Sequence, residues 1–229
     1  MPENTEKELI AIVSRLFDEG RIQHFLGYEK GTVKFKTTPL IARNREDLQG
    51  LWVGDFCATN LTLYLKEIKG PVGLLVKGCD SRSLVSLIKE GQVRREDLYV
   101  VGLPCPGQID PVKVAEAVGC ESEELEEITL RGSEVAVRVT GQGKILPKTL
   151  ALLDKCLNCQ YPKPLIFDHL LPGEYVAPVP EAARTEDKLR KEPVPEKWAF
   201  WAEQFKRCLR CYACRNVCPA CFCPRCIVE

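Results

Sequence analysis

Seven cysteines fall within the 19 positions from Cys208 to Cys226, which read C-L-R-C-Y-A-C-R-N-V-C-P-A-C-F-C-P-R-C. The first four, Cys208, Cys211, Cys214 and Cys218, have the spacing C-x2-C-x2-C-x3-C and are followed by Pro219. That run holds 4Fe-4S clusters in bacterial-type ferredoxins, because thiolates so close together can converge on one small inorganic core. In the two-cluster arrangement the first three cysteines hold one cluster and the fourth crosses to another. Cys208, Cys211 and Cys214 are therefore expected on one cluster and Cys218 on a second. No second complete run follows. The missing ligands must come from Cys221, Cys223, Cys226 and the rest of the chain. A zinc knot of similar spacing is the alternative.

Six further cysteines lie outside the tail. Cys156 and Cys159 form a C-x2-C pair followed by Pro162. Such a pair can be a redox disulfide, half a zinc site or half a cluster site, and the cysteine-rich tail favours the cluster. Cys79 lies in Lys77-Gly78-Cys79-Asp80-Ser81-Arg82, and Cys105 in Pro104-Cys105-Pro106-Gly107. One assignment places Cys57, Cys79 and Cys105, with Cys156 or Cys159, on a cluster of the body and leaves Cys120 unused. Two clusters or three are consistent with the cysteine count.

The elements that must position these residues read as an α/β body. Val72 to Val76 and Leu98 to Leu103 are short apolar runs bounded by turn residues, as expected of buried parallel strands. A helix is expected from Ser81 to Lys89, capped by Asp80 or Ser81, and another from Pro111 through Val118. Cys79 and Cys105 then lie at the carboxyl ends of two adjacent strands, where open α/β sheets form their ligand crevice. Thr5 and Glu8 suggest a capping box for an N-terminal helix that ends at Gly20. Thr32 to Phe35 alternate as a strand, and a helix is expected from about Thr59 to Lys69. Residues 128–130 and 134–139 suggest a hairpin. Residues 1–171 form the body, 172–196 a linker rich in proline and charge, and 197–229 a tail. In the tail, Trp198, Phe200, Trp201 and Phe205 form an aromatic helix expected to anchor the cysteines by burial. The fold class is thus α/β, a small mostly parallel sheet with helices, plus a ferredoxin-like iron–sulfur segment.

Composition narrows the function. Across 229 residues, 32 basic and 32 acidic side chains balance, so bulk charge favours neither nucleic acid nor an anionic membrane. The first twenty residues are charged and amphipathic, with no apolar signal core, and no run of 18 apolar residues occurs. With an odd number of cysteines, 13, this pattern suggests a reducing cytoplasm and metal-bound thiolates in place of a disulfide framework. An anaerobic setting suits oxygen-labile clusters. His24 and His169 have no ligand or triad spacing, and no G-x-G-x-x-G fingerprint is present.

The K-G-C-D-S-R segment with its following helix, and then V-V-G-L-P-C-P-G, resembles the beta-subunit family of coenzyme F-420 (deazaflavin) hydrogenases and dehydrogenases. That family includes formate dehydrogenase beta subunits and related proteins of heterodisulfide reductase systems. The resemblance runs roughly from Gly50 to Pro164, with the ferredoxin-like tail added. It implies an electron-transfer subunit of a larger oxidoreductase complex, passing electrons between 4Fe-4S clusters and a flavin, FAD, that serves a soluble carrier. Partners would be hydrogenase, formate dehydrogenase or flavoprotein subunits. Cys79 and Cys105 would be cluster ligands near the flavin, with Lys77, Asp80, Ser81 and Arg82 as polar groups around the cofactor. The rival readings are a catalytic subunit with its own flavin and a zinc-stapled binding module.

Overall fold

A computed structural model describes residues 3–157, 159–173, 175 and 189–221. Cys223, Cys226 and most of the expected linker lie outside the described residues.

The main sheet has five strands in the order β2-β1-β3-β4-β8. They are β1 (His24–Lys30), β2 (Thr37–Ala42), β3 (Val72–Val76), β4 (Leu98–Gly102) and β8 (His169–Leu170). β1, β3, β4 and β8 run parallel, and β2 joins antiparallel at the edge. All five residues of β3 are buried, as its unbroken apolar run requires of a strand covered on both faces. Val72 pairs with Leu98 and Val76 with Gly102, so β3 and β4 end side by side. This register fixes the following loops, carrying Cys79 and Cys105, at one edge of the sheet. Helices α1 (Glu3–Asp18) and α2 (Gly78–Lys89) belong to this part of the chain, and Leu9, Val13, Leu16 and Leu84 join the strand residues in one core. Each such side chain contributes about 1.5–3 kcal/mol by leaving water.

A second core lies under the antiparallel sheet β5 (Leu125–Arg131), β6 (Glu134–Val139) and β7 (Gln142–Pro147). Helices α3 (Pro111–Val118) and α4 (Lys148–Ala151) contribute Val114, Ala115, Val118 and Ala151 to it. Asp55 ties it to the first layer. Its carboxylate Oδ2 accepts from Leu130 N at 2.9 Å, and its carbonyl accepts from Ile109 N at 2.8 Å. The body is therefore mixed α/β, with a mostly parallel sheet and a separate antiparallel one.

Several local expectations change. Thr5 lies within α1, buried, and its hydroxyl reaches Pro172 O at 3.5 Å, so it does not cap the helix. Residues 31–36 turn between β1 and β2, with Phe35 at φ 59°, and do not form a strand. The segment after Thr59 is 3-10 helix, Leu61–Glu67. Helix α2 starts earlier than expected, with Lys77 as its cap and Asp80 accepting from the Lys77 backbone at 3.2 Å.

Beyond the linker come α6 (Val194–Phe205) and the short α7 (Ala213–Val217). Trp198 is 75% and Phe205 67% exposed, so the aromatic helix does not anchor the tail by burial among the described residues. Cys208, Cys211, Cys214 and Cys221 are exposed and Cys218 is half-buried. This described part is two helices joined by a turn, and a ferredoxin-like fold is not evident in it.

Candidate metal centre

Four of the body cysteines line one small cavity of about 60 Å³: Cys79, Cys105, Cys156 and Cys159. Cys79 occupies the first turn of α2, where the helix dipole favours a thiolate. Cys105 follows β4. Cys156 lies on the short helix α5 (Asp154–Leu157), and Cys159 follows it. Lys77, Gly78, Gly107, Gln108, Lys155, Tyr161 and Pro162 complete the wall.

Close backbone contacts draw these three chain segments together. Cys105 N donates to Pro162 O at 3.0 Å. Ser81 Oγ donates to Gly78 O at 2.7 Å and accepts from Leu165 N at 2.9 Å. The Arg82 guanidinium stacks on the Tyr161 ring, 4.1 Å from its centroid. Gly78 allows the closest approach: a Cβ there would sit 1.6 Å from Tyr161 O. Residues 161–165 are thus laid across the ends of β3 and β4, which carries Cys159 to the cavity.

A buried polar cluster backs the same site. Lys77, 2% exposed, lines the cavity, and its ammonium donates to Asp80 Oδ2 at 2.6 Å, to Tyr28 Oη, and to Thr59 O at 3.3 Å. Tyr28 Oη in turn donates to Thr59 O at 2.6 Å. Gln108 Nε2 donates to Cys105 Sγ at 3.4 Å, while its Oε1 is buried without a partner among the described residues.

Burial pushes the thiols of Cys79, Cys105 and Cys156 up from their ordinary value; the Asp80 charge adds to the rise at Cys79 ahead of the opposing pull of Lys77, while at Cys105 Lys77 is the main opposing charge. The free thiols are therefore neutral at pH 7, and binding a metal there must release protons. Cys57 is placed differently. It is fully buried in the first core, its Sγ accepts from Gly54 N at 3.4 Å, and burial raises its thiol to about 12. It does not line the cavity. Cys120 packs beside the second core, as an incidental thiol would.

The expected polar groups divide in the same way. Lys77, Asp80 and Ser81 are buried, with their polar atoms engaged inside the protein. Arg82 faces a second cavity of about 420 Å³ at the outer side of Cys79 and Cys159. Pro219 and Ala220 of the tail line its far wall, and Lys66 Nζ donates to Cys221 O at 3.4 Å. Sequence reasoning missed Tyr28, Gln108 and Lys66. Each is remote in sequence from the cysteines it serves, or is an ordinary residue type with no motif.

No three Cys, His, Asp or Glu side chains among the described residues converge as a single metal ion requires. A cubane makes a different demand, since each of its thiolates binds a different iron atom. A mostly apolar cavity lined by four cysteines from three chain segments suits that donor pattern.

No family model matches the chain. The F420-dependent formate dehydrogenase 1 subunit beta of Methanococcus maripaludis is 26% identical over 283 aligned positions, covering 94% of this chain and 72% of that protein. The F420-dependent formate dehydrogenase subunit beta of Methanocaldococcus jannaschii is 22% identical, covering 96% and 73%. The chain is a relative of these formate dehydrogenase beta subunits. A chain of the F420-reducing NiFe hydrogenase complex from Methanosarcina barkeri shares the fold, with a TM-score of 0.53 at 16% identity. That match covers 69% of this chain, which spans 62% of the hydrogenase chain's length. The resemblance read from K-G-C-D-S-R and V-V-G-L-P-C-P-G therefore extends over 94% of this chain.

Proposed function

We propose that this chain is an iron–sulfur electron-transfer subunit of an oxidoreductase complex akin to F420-dependent formate dehydrogenase or hydrogenase. The observation that carries the reading is the single cavity lined by Cys79, Cys105, Cys156 and Cys159. These four would hold a 4Fe-4S cluster, which supplies one-electron transfer when bound. Cys57 then acts as core packing behind the site. The tail cysteines Cys208, Cys211, Cys214, Cys218, Cys221, Cys223 and Cys226 would hold the remaining cluster or clusters. No helix among the described residues is long and apolar enough to cross a membrane.

The chain's own residues prepare the body site. Gln108 offers a hydrogen bond to the Cys105 sulfur, Lys77 places a positive charge beside the thiolates, and apolar walls exclude water. Anaerobic reconstitution followed by iron, sulfide, zinc and flavin analysis tests the reading. Roughly eight to twelve iron atoms per chain are expected for two or three cubanes. Zinc with no acid-labile sulfide would overturn it.

One observation favours a flavin as well. A largely apolar cavity of about 650 Å³ lies against the second core, lined by Phe35, Phe56, Thr37, Ile109 and Leu153, with Lys34 and Lys36 at its wall. Ala58 and Thr59 also line it, and Lys77 and Tyr28 both bond to Thr59 O. A flat ring held there would be separated from the Lys77 side of the cysteine cavity by a single strip of chain. Bound flavin in the same preparation, lost on Phe56→Asp, would support this assignment.

A further inference from the structure

Lys77 is a fully buried ammonium on the wall of a cavity made of thiols, which is an expensive place for a charge. A buried lysine persists only where fixed partners offset its lost hydration. Asp80 at 2.6 Å, Tyr28 Oη and Thr59 O supply those partners. Asp80 itself is not part of the cavity wall, whereas Lys77 is. Both ends of the ion pair therefore reach the site, because Lys77 lines the cavity and Cys79 Sγ donates to Asp80 Oδ1 at 3.6 Å. Capping α2 does not explain this arrangement, because a serine or threonine would cap the helix without burying a charge. Ion pairing alone does not explain it either, since a well-packed apolar pair of similar volume is often at least as stable.

We infer that the Tyr28–Lys77–Asp80 cluster is an electrostatic tuning device for the body cluster, with the Lys77 charge raising its reduction potential and the Asp80 charge, against Cys79, lowering it. This rests on the cysteine cavity holding a cluster, as proposed above. Reduction adds one electron to the cluster. A nearby fixed cation stabilises the reduced form more than the oxidised form, by Coulomb's law in a medium of low dielectric. Tyr28 is a positioning residue that holds the ammonium beside Asp80.

The test is an anaerobic redox titration of the reconstituted full chain followed by EPR, with iron counted on the same samples. The signal lost in Cys156→Ser marks the body cluster, and the tail signals serve as an internal reference. Lys77→Met should shift the body midpoint to a more negative potential and leave the tail midpoints where they were. Asp80→Asn keeps the ammonium and removes its counter-charge, so it should shift the body midpoint the other way. This second variant also decides the matter if Lys77→Met fails to fold. Full iron content with an unmoved body midpoint in whichever variants fold would overturn the assignment of Lys77 alone. A wild-type chain whose iron content is unchanged by Cys156→Ser would overturn the cluster reading, and this one with it.

Discussion

At the scale of single residues, the site depends on contacts that only one residue type permits. Gly78 is the clearest case, since a methyl group there would overlap Tyr161 O at 1.6 Å. The neighbour is backbone, which cannot rotate away as a flexible side chain can. Gly78→Ala should therefore displace residues 161–163 and the adjacent Cys159. The expected cost is about 1–3 kcal/mol of stability, as for other overpacked sites. Reconstituted protein should lose roughly the iron of one cubane while keeping that of the tail. Thermal unfolding and iron counting would check both halves, and a variant with wild-type iron and midpoint would show that the approach is not needed. K-G-C-D-S-R was legible as a loop with chemistry, but the reason for its glycine was not. The partner lies 83 positions along the chain, where a sequence with no alignment gives no link. Likewise the family resemblance suggested cofactor contacts at Lys77 and Asp80, and the burial that turns them inward became visible only with Tyr28 in place.

At the scale of elements, the parts that read most clearly were those whose pattern matches a single environment. β3 and β4 are apolar throughout because both faces are covered, and that run marked them without help from their neighbours. Helix α3 is bounded by Asp110, Pro111 and Gly119, whose geometries are specific to helix ends, so its limits agree with the expectation. β7 escaped notice because it is an exposed edge with one buried residue, Leu146, so alternation has little to show. The link between the two cores was also hidden, since it depends on one aspartate. Asp55 Oδ2 satisfies the backbone N–H of Leu130, and its side chain is buried with Oδ1 unpaired among the described residues. Asp55→Ala leaves that N–H without its acceptor, a cost of about 1–3 kcal/mol. Hydrogen exchange should quicken through β5 and β6 while β3 and β4 keep their protection. Uniform loss of protection across both sheets would instead show that the cores unfold as one unit.

At the scale of the whole molecule, the question is whether two cysteine sets far apart in sequence act together. The tail was expected to be held by its aromatic helix, yet Trp198 and Phe205 are largely exposed. Contact with the body is made further along, where Pro219 and Ala220 share a cavity with Cys79, Cys159, Arg82 and Tyr161, and Lys66 reaches Cys221 O. The turn after Cys218 thus faces the open side of the proposed body cluster. If both sites are loaded, two reduced clusters so placed must sense each other magnetically. The fully reduced chain should give broadened, interacting EPR signals in place of a sum of independent ones. Cys156→Ser should leave sharper tail signals by removing the body partner. Ala220→Arg should weaken the interaction without changing the iron count, because its bulk forces the tail from the cavity wall while touching no cysteine. Signals that add independently in the wild-type chain would separate the tail from the body as an electron path, and the relay would then need a partner subunit to bridge them.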